Sequence, residues 1–517
     1  MTRINTNVPS LIAQFNLARS NNELGTRLER LSTGLRINRG ADDPAGLITA
    51  ERIGSDLSGV EQAIKNGERA SNVIATTEAG LSEVNNLLLD MKRLLVESAN
   101  TGANSAEERE ANQLQLDSAI ASITRISNTA SFGGLNLLDG SLDYVTSGVE
   151  TSEIAQAKVL GASFIGSPNL QVDVEVVASA QKGQLYLDPT QTGFDTSGPV
   201  TVESTMTLQI AGNRGVQELS FTSGQNLTQI RQAINQVTSL TGVSAEFVNG
   251  DAASGLVFNS DGFGSSSFVS VERVNQSATS PGLELLKLED SATPPTGVPF
   301  DFATNFVSAN RDTGRDVSAL VNGELASGDG LEVSTNSPSL SVELILDSDF
   351  ATTVDGNESS FDITGGGSLF QLGPEVTALQ QANIGIQSVS ASKLGAVITS
   401  GGLQFLSSLE SGGPNDISSG VANNDFSTSS DIIDKAIDEV SILRGRLGAF
   451  EKNVLETNER SLEAAFENLT AARSDIVDAD FAAETSKLTR AQTLQSAGTS
   501  VLALANQQSQ SVLQLLG

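Results

Sequence analysis

The adjacent carboxylates of Asp42 and Asp43, inside LSTGLRINRGADDPAGL (residues 31–47), are the first residues whose types and spacing could do chemistry. Two carboxylates can hold a divalent cation or divide an acid–base task. Neighbours at a helix start point in different directions, however, and no second carboxylate cluster accompanies them. A joint between helices accounts for the same residues. Asp43 can act as N-cap with Pro44 at the first helical position, where its missing N–H costs nothing. Asp42 then adds negative charge near the positive end of that helix. Gly34 and Gly40 loosen the chain before it.

Other motifs point to chemistry even less. The glycines of GGGSLF (365–370) lack the following helix and basic residue that a phosphate cradle needs. NSDGFGSS (259–266) resembles a calcium turn but lacks the later Glu of an EF-hand loop, so a solvated β-turn fits better. The chain has no His and no Cys. Zinc sites, a Ser-His-Asp triad and a Cys-His pair therefore lack their residues. The reading is of a protein that is not an enzyme, with no catalytic, metal or cofactor residue.

The elements that position these residues fall into three zones within 517 residues. A hydrophobic content of 38% supports real cores, but aromatics make up only 4%, so packing leans on Leu, Ile, Val and Ala. After Pro9 and Pro44 the next proline is Pro168, and Pro414 is the last. The two flanks are thus free of the strongest helix breaker. Leu24, Leu28, Leu31 and Leu35 form one helical stripe; Leu57, Val60 and Ile64 begin another, which Leu81, Val84, Leu88, Met91 and Leu95 continue. A helix over 46–100 would be roughly 80 Å long. Ser105 and Glu108 have capping-box spacing for the next helix, and ASFGGLNLLDG reads as turn and strand. At the other end Leu455, Leu462, Phe466, Leu469 and Ile476 form a stripe, and Leu494, Ala497, Val501, Leu504, Val512 and Leu515 another. No charge follows Arg490, and a helical end with so uncharged a face is a poor stand-alone structure.

The middle is rich in Gly, Ser, Thr, Asp and Val, with alternating stretches such as LQVDVEVVAS and LSVELIL that read as strands. The segment 206–271 reads strand, strand, helix, strand, strand, strand. The formal net charge is −32, and residues 316–392 contain no Lys or Arg. Nucleic acid is excluded as a partner on charge. No stretch reaches the ~18 apolar residues of a membrane span, and the start has no secretory apolar core. The expected fold class is α+β multidomain: a helical coiled-coil or bundle rod formed by both chain ends, with inserted β-rich outer domains.

These residues resemble the bacterial flagellins. MTRINTNVPSLIAQFNL, RLERLSTGLRINRGADDPAGL and AIKNGERASNVIATTEAGLSEVNNLL are similar to the family's amino-terminal region, and LRGRLGAFEKNVLETNERSLEAAFENLTAARSDIVDADFAAETSKLTRAQTLQSAGTSVLALANQQSQSVLQLL to its carboxy-terminal region. The 206–271 unit, with its QAIN helix, resembles the family's IN motif.

The resemblance implies a subunit that self-assembles into a helical motility filament. Residues 1–40 and 480–517 would form an inner tube, and 41–145 with 430–479 a helical shell. Residues 146–429 would form surface domains, and Arg36, Asn38, Asp42, Asp43 and Pro44 the connecting spoke. Implied partners are identical subunits, hook-associated and cap proteins, an export chaperone over the carboxy-terminal helices, and O-glycans. The implied location is the extracellular flagellum, reached unfolded through the flagellar export apparatus without a cleaved signal. The alternatives are a hook–filament junction protein, or a filament whose outer domains are adhesive or glycan-binding. One departure stands in LLDMKRLLVESAN: Asp90, beside Lys92, Arg93 and Leu94, takes the place of an arginine carried by family members that the vertebrate receptor senses. Recognition by that receptor is therefore expected to be weak.

Overall fold

Pro44 opens the longest helix of the molecule, and what precedes it shows why the chain turns there. The computed structural model describes residues 6–514 apart from 165–168, 191–193, 198, 275–282, 290–301, 303–304, 338, 355 and 400, with side chains to residue 507. Helix α1 (Val8–Thr33) is capped by Asn7, whose side chain accepts from the Ser10 N–H. It stops at Gly34, which takes the left-handed φ of +75° that only glycine adopts freely, and whose N–H closes on the Arg30 carbonyl. Helix α2 (Pro44–Ala99) runs unbroken for 56 residues. Helix α3 (Ala106–Thr129) begins with the expected capping box of Ser105 and Glu108, and where a turn and strand are expected Ser131–Phe132 pairs with Leu135–Asn136 in a short hairpin.

The short helices α4 (Leu227–Asn235), α5 (Thr238–Thr241), α6 (Ser348–Thr352) and α7 (Ile417–Asn423) lie among strands or after them. Helices α8 (Ser427–Phe450), α9 (Glu456–Val477) and α10 (Phe481–Gln514) close the chain. The residues divide into two compact units. The first holds Met1–Ala70, Gln371–Gln381 and Lys452–Gly517; the second holds Ser71–Phe370 and Ala382–Glu451.

In the first unit the two chain ends pair. Ser10 Oγ donates to Asn506 Oδ1 at 2.7 Å and Asn7 Nδ2 to the Ala505 carbonyl at 3.1 Å, so α1 and α10 lie side by side. Their connectors pair as well. The Arg36 N–H donates to the Val477 carbonyl at 2.7 Å and the Ala479 N–H to the Gly34 carbonyl at 2.8 Å.

In the second unit the stripe of Leu81, Val84, Leu88, Met91 and Leu95 is buried, as are Leu116, Ile120 and Ile123 of α3 and Ile432, Val440 and Leu443 of α8. Leu88 is fully enclosed. Leu88→Ala should therefore lower the unfolding free energy of this unit by about 3 kcal/mol, the usual cost of such a cavity, measured by denaturant titration of the full chain.

The β-rich part of the second unit builds two cores from antiparallel sheets. In one, a five-stranded sheet centred on Leu170–Ala178 and a four-stranded sheet containing Leu340–Leu346 bury Val172, Val174, Val176, Val342, Leu344 and Phe361 in common. In the other, the sheets carrying Met206–Gly212 and Leu256–Phe263 enclose Leu208, Ile210, Phe258 and Val271 with Ile230 and Ile234 of α4. The 206–271 segment has the element order read from sequence, but it is not closed on itself. Lys182–Leu187 pairs with Leu256–Phe263, and Arg311–Thr313 pairs with Phe268–Arg273. The two motifs with possible chemistry are structural here. Gly366 sits at a strand irregularity where a Cβ would lie 2.3 Å from the Asp143 carbonyl oxygen, and Asp261 is paired with Arg214 at 2.8 Å.

Candidate assembly interface

The connector is built from its own backbone. Asp43 Oδ1 accepts from the Gly46 N–H at 2.9 Å, an N-cap with Pro44 as the first residue of α2. Asp42 does something other than expected. Its Oδ2 accepts from the Arg39 N–H at 2.9 Å and the Asn38 N–H at 3.1 Å, closing a tight turn upstream rather than facing the next helix. Those two bonds hold its carboxyl below the ordinary carboxylate range. The two aspartates thus serve different turns and share no ligand position. Arg36 Nη2 donates to the Ile476 carbonyl at 2.6 Å and Asn38 Nδ2 to the Leu35 carbonyl at 3.1 Å, tying the connector to α9 and to itself. Among the described residues no group of three His, Cys, Asp or Glu gathers to hold a metal, and no helix is long and apolar enough to cross a membrane.

One charged cluster locks α1 to α10. Glu484 is 4% exposed, yet both its oxygens take Arg27 Nη1 (3.1 and 3.0 Å), with Arg30 at 3.6 Å and Lys487 at 3.1 Å. Burial alone would raise its carboxyl; the hydrogen bonds from Lys487 and Arg27 outweigh that and hold it below the usual range.

The apolar stripes of the same two helices are left uncovered within one chain. Leu24 and Leu31 are half-buried and Leu28 is 50% exposed; Leu35, expected in the same helical stripe, lies beyond the end of α1, because Gly34 stops the helix, and is half-buried in the connector. Leu494, Ala497 and Val501 are exposed, and Leu504 is 67% exposed. Leu515 lies outside the described residues, as does the side chain of Val512. Sequence reasoning missed a second exposed set, Val8, Leu11, Ile12 and Phe15, the last 75% exposed. Their three-to-four spacing was the available signal. At about 100° per residue the Val8–Phe15 set and the Leu24–Leu31 set fall on opposite faces of α1, so the helix pair presents separate apolar patches that need partners.

The Asp90 stretch lies in the second unit. Asp90 and Arg93 are exposed and 3.8 Å apart, and Lys92 pairs with Asp434. Leu94 is 4% exposed and belongs to the core. It is therefore removed from any contact surface on this face, because its helix turn points it inward among packed neighbours.

The profile of the bacterial flagellin N-terminal helical region matches residues 4–143, that of the C-terminal helical region residues 430–516, and that of the flagellin hook IN motif residues 207–262. The flagellin of Escherichia coli K12 is 30% identical over 99% of this chain and 99% of its own. The chain belongs to the flagellin family. A flagellin of Salmonella choleraesuis is 29% identical over the same shares of both chains. The solved structure of FliC from Burkholderia pseudomallei, 15% identical over 74% of this chain and 99% of that one, superposes with a TM-score of 0.24 and adds nothing to the assignment. As a flagellin, the chain is a structural subunit of the bacterial flagellar filament, a motility organelle outside the cell. The flagellins are a structural protein family, and the helical ends with a β-rich centre fit that role.

Proposed function

We propose that this flagellin polymerises through the apolar stripes of α1 and α10. Leu24, Leu28 and Leu31 of α1, Leu35 of the connector, and Leu494, Ala497, Val501 and Leu504 of α10 would be buried on neighbouring copies, with Val8, Leu11, Ile12 and Phe15 on the opposite face of α1. The observation that carries the reading is the exposure of Leu28, Leu494, Val501, Leu504, Val8, Leu11, Ile12 and Phe15 on a helix pair that is otherwise ordered and ion-paired. Residues 1–40 and 480–517 then form the inner tube, 41–145 and 430–479 the shell, and 146–429 the surface domains. The Arg36–Pro44 connector acts as the spoke. A contact that does not return on itself gives an open helical polymer.

Hook-associated and cap proteins, an export chaperone over α10 and O-glycans on the Ser- and Thr-rich middle complete the set of partners. Export is unfolded, through the flagellar export apparatus, and the chain has no catalytic role. The exposed, uncharged end of α10 supports the chaperone, and Asp90 on an exposed helix face supports weak sensing by the vertebrate receptor.

Charge sets the solution conditions. A net charge of −32 opposes association, and raising ionic strength from about 0.01 to about 0.15 M shortens the screening length from about 30 to about 8 Å. Growth from sheared seeds should accelerate several-fold over that range, followed by light scattering and electron microscopy. Growth that ignores salt, or a protein that stays monomeric with seeds, would count against the proposal.

A further inference from the structure

The loop Gln371–Gln381 belongs to the first unit and is built as a rigid projection. The Leu372 N–H donates to the Gln380 carbonyl at 2.9 Å and the Gln380 N–H to the Thr377 carbonyl at 3.0 Å. Gln371 Nε2 holds the carbonyls of Gly373 and Glu375, and the Glu375 N–H donates to Gln380 Oε1 at 2.7 Å. The base is anchored on two helices: Asn458 Nδ2 of α9 donates to the Leu372 carbonyl at 2.8 Å, and Pro374 sits where a Cβ on Gly59 of α2 would be 3.0 Å away. This ordered loop ends in apolar side chains that touch water. Val376 is 86% and Leu379 83% exposed. Beside them Glu375 is exposed, and among the described residues its carboxylate has no ion-pair or hydrogen-bond partner.

The same unit carries a groove of about 470 Å³ between α2 and α9, lined by Leu35, Leu57, Phe466, Thr470 and Val477, with Arg473 at its wall. Arg473 is exposed and, among the described residues, likewise has no ion-pair partner. The groove contributes four apolar side chains and the unpaired Arg473, its carboxylates Glu61 and Asp478 being engaged by Lys65 and Ser474, where the loop offers two apolar side chains and a free anion. The two features cannot meet within one copy. At roughly 100° per residue, Gly54, Leu57, Ser58 and Glu61 share one α2 face about 100° wide, and Gly59, under the loop, lies about 150° from its centre. A knob on one side and its hole on the other is the arrangement of a head-to-tail contact.

We propose that the Gln371–Gln381 loop docks into the α2–α9 groove of a second copy of this chain, seating Val376 and Leu379 against Leu57 and Phe466 and placing Glu375 on Arg473. This rests on the filament reading above, as a lateral or axial contact additional to the α1–α10 stripes.

Charge exchange and cross-linking test it in full-length protein. Glu375→Arg and Arg473→Glu each place like charges together and should raise the monomer concentration needed for seeded growth about 10-fold. The double exchange should return it to within about 3-fold of the parent. Both positions are exposed, so the monomer's circular dichroism stays unchanged. The chain has no Cys, so Leu379→Cys with Thr470→Cys should give a ladder of disulfide-linked oligomers when filaments are oxidised, and none from dilute monomer. Filaments that form normally from the cysteine pair but yield no ladder would overturn the docking while leaving the filament reading intact, as would single exchanges that grow like the parent. Failure of the parent protein to grow from seeds would strike the filament reading instead.

Discussion

Leu504→Asp should raise the monomer concentration required for seeded filament growth by at least about 100-fold, in practice abolishing growth. Leu504 is 67% exposed on α10, between the exposed Val501 and the buried Ala505. Fully burying a leucine contributes about 1.5–3 kcal/mol, and desolvating an unpaired carboxylate in the same seam costs several kcal/mol more. Since about 1.4 kcal/mol is a factor of ten, the loss of the leucine alone accounts for about 10- to 100-fold and the charge carries it further. Because the side chain is mostly in water in the single chain, α10 keeps its pairing with α1 and the second unit keeps its cores. Thermal unfolding of the second unit should match the parent. Leu504→Ala, which removes the apolar contact without adding charge, should be intermediate. Sedimentation of seeded samples across a monomer concentration series measures all three, and filaments from the aspartate variant at the parent's concentration would refute a terminal seam.

How far such residues can be read without coordinates depends on how local their causes are. The caps at Asp43 and Ser105 were legible because a cap and its partner lie within three residues. The inward stripe from Leu81 to Leu95 was legible because periodicity alone decides which face can be buried. The bonds that Asp42 accepts from Asn38 and Arg39 were not legible because they run backward along the chain, where no cap pattern points. Leu94 stands in the stretch compared with receptor-sensed members, and its burial follows from the apolar stripe on either side rather than from the charged window around it. The outer cores were hidden for a different reason. Lys182–Leu187 finds its partner at Leu256–Phe263, some seventy residues on, and no local pattern specifies that pairing. The 206–271 segment therefore looked like a unit when it is one part of two sheets. The exposed set at Val8–Phe15 shows the remaining limit: spacing says that a helix has an apolar face, and only the tertiary structure says whether anything in the same chain covers it.

Glu484→Gln should open the α1–α10 pair at neutral pH. The amide keeps the shape of the side chain but leaves Arg27, Arg30 and Lys487 around a neutral group, and the Nε atoms of both arginines are already buried without a partner among the described residues. Removing one member of a buried ionic cluster costs about 3–5 kcal/mol. Lys487 is half exposed and solvent screens its share, so about 2–3 kcal/mol is expected. That corresponds to a rise of about 30-fold or more in the opening equilibrium of α1, read by hydrogen exchange of its amides. The pH dependence separates charge from shape. The Glu484 carboxyl is held below its ordinary value of 4.5 in the folded pair. Its contribution is then complete above that value and disappears as pH falls through the depressed one, where the folded carboxylate takes up its proton. The parent's α1 protection should therefore stay level above about pH 4.5 and fall on further acidification. The glutamine variant should be less protected at pH 7 and should lack the part of the acid loss that Glu484 contributes. Equal protection at pH 7, or the same acid profile in both proteins, would show that the cluster does not hold the two chain ends together.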